Sequence, residues 1–137
     1  MKISTKGRYG LMLLVDLAAN EAVGRPVSLK AVAERHGLSD HYLEQLITPL
    51  RNAGLVRSIR GAHGGYVLGE PKSEITVHKV LRTLEGPLAL VDGDVDDGFQ
   101  DLWRKLESNV VAVMEAVTLQ DLVEMREKNV GSYMYYI

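Results

Sequence analysis

The sequence predicts a mainly α-helical fold with one small β-hairpin, arranged as a winged helix-turn-helix followed by a long dimerisation helix. Three observations predict it. Two short amphipathic segments meet at Gly37, which is the helix-turn-helix pattern. The glycine-rich stretch 60–65 separates two short segments of strand-like composition. An apolar stripe with helical spacing then runs over 100–117.

The composition is that of one globular domain. The chain has 137 residues, of which 46% are hydrophobic and 25% charged, close to the average for globular domains. No apolar run approaches the ~20 residues of a membrane span, and the first residues lack the pattern of a signal peptide. The sequence therefore predicts a cytoplasmic protein with no membrane partner.

The first helix is predicted over 6–21, where apolar residues recur at helical spacing and Ser4 or Thr5 is placed to cap the start. Gly7 and Gly10 weaken this helix intrinsically, and they would allow another backbone or side chain to approach closely. A loop at 24–26 follows.

The helix-turn-helix follows this loop, over 28–54. Ser28 is a good cap for a short helix over 29–36, which Gly37 ends in the left-handed conformation. Ser39 caps the second helix, whose apolar stripe continues to Gly54. This second helix is the predicted recognition helix, which would enter the major groove of DNA.

The remaining elements follow in the order of a winged helix. Alternating residues predict strands over 55–59 and 66–68, and Thr76 caps a further helix that ends at Glu85. We divide the chain into a winged helix-turn-helix domain, an acidic loop, a pair of dimerisation helices and an apolar C-terminal tail. The corresponding ranges are 1–87, 88–100, 101–128 and 129–137. In the third of these, Thr118 and Asp121 resemble a capping box that opens the last helix.

The outward face of the recognition helix carries Ser39, His41, Glu44 and Gln45. Serine, histidine and glutamine side chains can donate to or accept from base edges, and glutamate can accept from the amino group of cytosine. The alternative is a solvated helix face that contacts nothing.

The predicted wing is basic. Arg51, Arg57 and Arg60 lie in a stretch from residue 51 to 69 that contains no acid. An arginine before a glycine-rich tip suits the narrow, electronegative minor groove; an ordinary exposed turn is the alternative. Residues 1–70 hold nine Lys and Arg against six Asp and Glu, a net charge of +3, whereas 71–137 hold seven against twelve, a net charge of −5. This asymmetry indicates a polyanion-binding front half.

The long apolar stripe predicts a dimer interface. A winged helix of this size would not cover it, so a second copy of the chain is favoured over packing within one chain. The predicted interface residues are Leu102, Trp103, Leu106, Val110, Val113, Met114 and Val117.

The chain contains no cysteine. This excludes disulfides, cysteine nucleophiles and iron–sulfur clusters held by its own thiolates. The four histidines lack metal-ligand spacing, and the acidic residues of 92–97 lack the ligand pattern of a calcium loop. The glycines of 61–65 lack the lysine and hydroxyl residue of a phosphate loop. We therefore expect no cofactor, no metal site and no enzyme activity.

Four segments together resemble the Rrf-two type of winged-helix transcription regulators: 1–10, 42–46, 50–56 and 60–69. The resemblance covers nearly the whole chain and implies a homodimeric regulator that binds double-stranded DNA. Together with the patterns above, it implies one set of DNA-contacting residues. That set is Lys2, Thr5, Lys6, Arg8, Tyr9, Ser28, Ser39, His41, Tyr42, Glu44, Gln45, Arg51, Arg57, Arg60, Gly61, His63, Gly64 and Gly65.

The sequence departs from the cluster-binding members of this family. Those members carry three cysteines before the long helix, and the corresponding stretch here, 88–101, has none. Residues 84–87, 102–103 and 133–137 instead resemble the cysteine-metabolism repressors of the family, which act together with cysteine synthase. The resemblance implies a repressor of sulfur and cysteine genes. The alternatives are another cluster-free regulator with a small-molecule effector, or a regulatory subunit that acts mainly by binding an enzyme.

The C-terminal tail ends in Tyr135, Tyr136 and Ile137. Cysteine synthase holds the C-terminal isoleucine of serine acetyltransferase in its active site, and the similar ending here implies that the tail is a partner-binding segment. The alternative is that the tail folds back onto the dimer, since tyrosine and methionine pack well between helices.

Overall fold

The computed structural model describes residues 2–21, 24–93 and 96–135, with side chains described as far as residue 130. In the described part of the chain, the fold consists of six helices and one two-stranded antiparallel hairpin, which confirms the predicted fold class. The elements are α1 (Thr5–Ala19), α2 (Leu29–His36), α3 (Asp40–Asn52), β1 (Val56–Ile59), β2 (Gly65–Leu68), α4 (Val77–Glu85), α5 (Gln100–Ala116) and α6 (Leu119–Tyr135).

Hydroxyl side chains begin four of the helices. Ser4, Ser28, Ser39 and Thr76 each accept the backbone N–H of the residue three positions later, at 3.0–3.1 Å. Each bond satisfies an N–H group that the first turn of a helix leaves without a partner. The predicted starts of α2, α3 and α4 are thus confirmed, and α1 ends at Ala19, two residues before the predicted end.

The hairpin is tied to the helix-turn-helix as well as to itself. Val56 pairs with Leu68 and Ile59 pairs with Gly65. Tyr66 also exchanges two backbone hydrogen bonds with Val27, at 2.8 and 2.9 Å, just before α2 begins. The wing therefore has a fixed position relative to the start of α2.

The core lies between α1, α3, α4 and the first half of α6. Leu13, Leu46 and Ile75 are wholly buried in it, and α6 adds Leu119 and Val123. The first half of α6 thus packs with the winged helix. The predicted capping box holds this helix in place: Asp121 accepts the Thr118 N–H at 2.9 Å, and Thr118 accepts the Asp121 N–H at 3.2 Å.

Two glycines let α1 and α4 approach each other closely. A Cβ atom on Gly7 would collide with Leu81 and the Glu85 carboxylate, and one on Gly10 would collide with Leu84. The helix-weakening glycines of α1 therefore serve packing inside the chain.

The C-terminal half differs from this compact arrangement. None of the residues of α5 is buried. The α6 helix continues through Tyr135, so the backbone of residues 129–135 extends the last helix, while Tyr136 and Ile137 lie outside the described residues. Among the described helices, none is long and apolar enough to cross a membrane.

Candidate nucleic-acid interface

The recognition helix α3 presents a polar face above a buried apolar one. Leu43, Leu46 and Leu50 are wholly buried, which leaves His41, Glu44 and Gln45 exposed on the opposite side. The amide nitrogen of Gln45 lies 3.2 Å from Nε2 of His41, one helical turn earlier. This contact orients two of the predicted base-reading side chains together.

The Ser39 hydroxyl has a structural task because it accepts the N–H of Tyr42 and caps α3. A hydroxyl group donates one hydrogen bond and accepts two, so the Ser39 hydroxyl proton is still available to a phosphate or base. Among the predicted reading residues, Ser39 therefore fixes the helix start as well as facing outward.

Two tyrosines join α1 to α3. The rings of Tyr9 and Tyr42 meet edge to face, with centroids 6.1 Å apart and an angle of 89° between their planes. Both side chains are half-buried and pack against the core. Their contact places the first turns of α1, which carry Lys6 and Arg8, beside the first turns of α3.

The structure exposes most of the predicted DNA-contacting residues. Fourteen are exposed: Lys2, Thr5, Lys6, Arg8, Ser28, Ser39, His41, Glu44, Gln45, Arg51, Arg57, Arg60, Gly61 and His63. Tyr9, Tyr42, Gly64 and Gly65 are half-buried. Within the described part of the chain, none of the six lysines and arginines in the exposed set forms an ion pair. Their charges are therefore available to DNA phosphates.

Glycine is required at three positions of the wing, for backbone conformation at one and for close packing at the other two. Gly61 has a φ of 122°, which L-amino acids with side chains rarely adopt, and its Cβ position faces open space. A Cβ on Gly64 would strike the Ile59 carbonyl, and one on Gly65 would strike the Val27 backbone. Close packing inside the chain accounts for Gly64 and Gly65, so their presence does not require a close approach to DNA.

The second predicted surface is the outer face of α5. Leu102, Leu106 and Val113 are 49%, 41% and 66% exposed. At about 100° per residue they share an arc of about 40°. The other predicted interface residues continue this arc and are half-buried against their own chain. They are Trp103, Val110, Met114 and Val117.

Comparison with known proteins identifies this architecture. The family model Rrf2, described as an iron-dependent transcriptional regulator, matches residues 3–125. This chain belongs to the Rrf2 family. The predicted resemblance to Rrf-two type regulators is thereby confirmed, and the chain is a helix-turn-helix transcriptional regulator.

Several relatives from the Rrf2 family cover almost all of the chain. The transcriptional regulator CymR of Bacillus subtilis is 48% identical over 100% of both chains. Its solved structure, described as that of the global cysteine regulator, matches with a TM-score of 0.83 over 91% of this chain and 98% of that one. The T. potens IscR structure is 43% identical, with a TM-score of 0.80 over 94% of this chain and 90% of that one.

The iron dependence in the Rrf2 description does not fit the residues of this chain. The sequence has no cysteine, so no thiolate is available to hold an iron–sulfur cluster. Among the residues that the structure describes, no group of three His, Cys, Asp or Glu side chains is placed to hold a metal ion.

Sequence reasoning missed a buried charge cluster beside the helix-turn-helix. Asp16 of α1 is wholly buried. Its Oδ1 accepts a hydrogen bond from Arg126 at 2.8 Å and pairs with Arg35 at 3.3 Å, while its Oδ2 lies 2.8 Å from Nε2 of His36. Asp16 is the one charged residue in the apolar run 11–18. This pattern indicates that Asp16 has a charged partner, since buried aspartates are rarely unpaired. The identity of the partners depends on the tertiary fold.

Proposed function

We propose that this chain is a homodimeric, sequence-specific DNA-binding repressor, in the cytoplasm, of genes for cysteine and sulfur metabolism. The observation that carries the proposal is the polar face of α3, where His41, Glu44 and Gln45 are exposed, together with the wing, whose exposed Arg60 precedes its glycine-rich tip. The regulators that this chain resembles act on transcription and not as catalysts, and the proposal includes no enzyme activity.

Base reading would be divided between two elements. The recognition helix would present its polar face to the major groove, where each base pair has a distinct pattern of donors and acceptors. Arg60 at the wing would enter the adjacent minor groove, whose negative potential attracts arginine. Lys6 and Arg8, which the tyrosine contact brings beside α3, would contact phosphates and set the register.

A dimer would supply two such reading units. The apolar face of α5 suits a second copy, because two-fold dimers read paired half-sites about 34 Å apart, one helical turn of DNA. The regulatory target is proposed from the similarity to the B. subtilis protein, whose solved structure is described as that of the global cysteine regulator.

The wing provides the test of specific binding. An operator is first selected from a library of random duplexes, and its affinity for Arg60→Ala is compared with that of the wild type by fluorescence anisotropy. We expect a loss of roughly 1–3 kcal/mol at the operator, as for removal of one base contact. The matched control is Arg104→Ala, an exposed arginine of α5. Equal operator affinity of both variants would remove the wing from recognition, and failure to select any operator would refute the proposed function.

Cysteine synthase is the proposed protein partner. The support is the segment of Tyr135, Tyr136 and Ile137, whose apolar isoleucine resembles the isoleucine that the enzyme holds in its active site. The substrate O-acetylserine would compete for that site and release the regulator, linking sulfur supply to transcription by mass action.

Removal of Tyr136 and Ile137 tests this partner. The truncated chain should lose binding to cysteine synthase while operator binding and dimerisation stay intact. A second variant, Ile137→Asp, keeps the length of the segment but replaces its apolar side chain, and it should also lose binding. Full enzyme affinity of the truncated chain, or failure of O-acetylserine to dissociate the intact complex, would contradict the proposal.

A second candidate function is a regulatory subunit that acts mainly by binding the enzyme. The same two variants separate it from the repressor. If Arg60→Ala loses the operator but keeps the enzyme, and the truncation does the reverse, the two activities reside on different surfaces. If the enzyme alters its kinetics on binding the chain while no operator can be selected, the regulatory subunit is the better description.

A further inference from the structure

A cavity of about 750 Å³ lies between α2 and the loop at the tip of the wing. The residues that matter for its chemistry are Asn20, Arg25, Ser28, Arg35, His63 and Gly64. Among the described residues that line it there is no carboxylate. Glu21 lines the adjacent cavity, which shares Arg25. Two arginines and a histidine therefore face a solvent-filled space without an acid on its walls.

Arg35 is held in place on one wall of this cavity. Its Nη1 pairs with the buried carboxylate of Asp16 at 3.3 Å, while 51% of the side chain stays exposed. A guanidinium has five N–H donors, so this pairing leaves others directed away from Asp16. The arginine is oriented before any ligand arrives, which lowers the conformational entropy lost on binding.

The positive charge of Arg35 is not cancelled by its partner. The Asp16 carboxylate also receives a hydrogen bond from Arg126 at 2.8 Å and contacts His36. One negative charge is shared between two guanidinium groups, so the cluster retains a net positive charge. Part of that charge is presented to the cavity through Arg35.

The opposite wall is fixed by the wing. Val27 and Tyr66 exchange two backbone hydrogen bonds, which tie the segment carrying Arg25 and Ser28 to β2. His63 and Gly64, which precede β2, therefore have a fixed distance from α2. The cavity is part of the folded chain and does not depend on a loop closing over it.

We propose that this cavity is a binding site for a tetrahedral oxyanion of the phosphate or sulfate class, with Arg25 and Arg35 as its principal ligands. Arginine suits such a ligand because its planar fork donates two parallel hydrogen bonds to oxyanion oxygens. The oxyanion comes either from a DNA backbone phosphate or from a free anion. The first source rests on the proposed function, since Ser28 and His63 at the rim belong to the predicted DNA surface.

The DNA source is tested by salt dependence. Arg25→Gln and Arg35→Gln are titrated with a 20-bp duplex of arbitrary sequence across a range of KCl concentrations. Loss of one phosphate contact should reduce the slope of log K against log salt by about 0.9 in each variant. Arg104→Gln, an equal change of charge on α5, should leave the slope unchanged. Arg25 does not touch Asp16, so Arg25→Gln tests the site even if Arg35→Gln unfolds.

The free source is tested without DNA. Potassium phosphate is titrated into the wild-type protein at constant ionic strength, and arginine Nε–H resonances are followed by NMR. A saturable shift that is absent from both arginine variants, with unchanged salt slopes, identifies a free oxyanion as the ligand. Reduced salt slopes identify the DNA phosphate. Unchanged slopes together with no saturable shift would overturn the oxyanion site, and selection of an operator by the wild type would still support the proposed function.

Discussion

The two faces that this chain exposes differ in what lies beneath them. Around α3 and the wing, polar and cationic side chains cover leucines that are wholly buried within one chain. Along α5 no residue is buried, and Leu102, Leu106 and Val113 stand in solvent together. The face formed by α3 and the wing covers a core that a single chain fills. The face of α5 exposes apolar area that association with a second copy would remove from water.

The difference separates two kinds of functional surface. A nucleic-acid surface must stay hydrated and charged until DNA arrives, so its stability has to come from a core built underneath it. A surface that forms an oligomer can expose apolar side chains in the single chain, because the partner covers them on association. The proposed repressor would use the second surface to hold two copies of the first at a fixed spacing.

The largest effect is expected from placing charged side chains on the apolar face of α5. The double variant Leu106→Glu and Val113→Glu should elute at the mass of one chain in size-exclusion chromatography with light scattering. Each buried side chain of this type contributes about 1.5–3 kcal/mol, and a two-fold interface contains every substitution twice. Operator affinity should fall at least ~100-fold because one half-site is read alone.

Ser108→Glu is the matched control for the double variant. Ser108 is exposed and lies about 200° around the helix from Leu106. It should remain dimeric with wild-type operator affinity. The far-ultraviolet circular dichroism of the double variant should also stay close to wild type, since the core does not include α5. A double variant that keeps the mass of a dimer would place the interface elsewhere.

The next largest effect is expected at the buried charge cluster beside the helix-turn-helix. Asp16→Ala removes the only acid of the buried cluster and leaves Arg126 and His36 without their carboxylate. We expect the free energy of unfolding to fall by roughly 3 kcal/mol, at the lower end for a broken buried pair because its partners are partly exposed. Urea unfolding at one fixed protein concentration measures this change.

Asp101→Ala is the corresponding control, because Asp101 is fully exposed and pairs with Arg104 at 3.4 Å on the surface. Exposed pairs contribute at most about 1 kcal/mol. If Asp16→Ala unfolds no more readily than Asp101→Ala, the cluster beside the helix-turn-helix does not contribute to the stability of the winged half.

The sequence predicted the features that depend on residues close together in the chain. Ser28, Ser39 and Thr76 mark helix starts through bonds that span three residues, so the sequence alone locates them. The left-handed Gly37 between α2 and α3 is equally local. Exposure of the recognition residues also follows from helical spacing, which buries the leucines and turns the polar side chains outward.

Features that join distant parts of the chain escaped prediction. Asp16 and Arg126 are separated by 110 positions, and no local pattern pairs them. The packing of Gly10 on Leu84 and the burial of Leu119 beneath α1 depend in the same way on tertiary structure. The cavity with Arg25 and Arg35 could not be predicted either, because it exists only where the wing meets α2.

The smallest expected effect concerns the loop that starts α5. Asp97 accepts the Phe99 N–H at 2.8 Å and the Trp103 indole N–H at 3.1 Å. The hydrogen bond from the Phe99 backbone, followed by that from Trp103, holds the pKa of Asp97 below its ordinary value. A lowered pKa in the folded state means that the contribution to stability is complete above the ordinary pKa, and is lost as the pH falls through the folded value.

Asp97→Asn should therefore lower the melting temperature slightly at pH 7, and the difference from wild type should shrink as the pH drops below about 3.9, the ordinary value for aspartate. Asp92→Asn, an exposed change in the same acidic loop, controls for the loss of one negative charge.

Because the Asp97 carboxylate bonds to the first turn of α5, Asp97→Asn should also loosen the start of the helix that carries Leu102. Dimer dissociation should then become slightly easier at pH 7 while DNA contacts within one chain stay unchanged. A difference between Asp97→Asn and wild type that stays constant from pH 7 to pH 3 would show that the carboxylate charge does not support this helix.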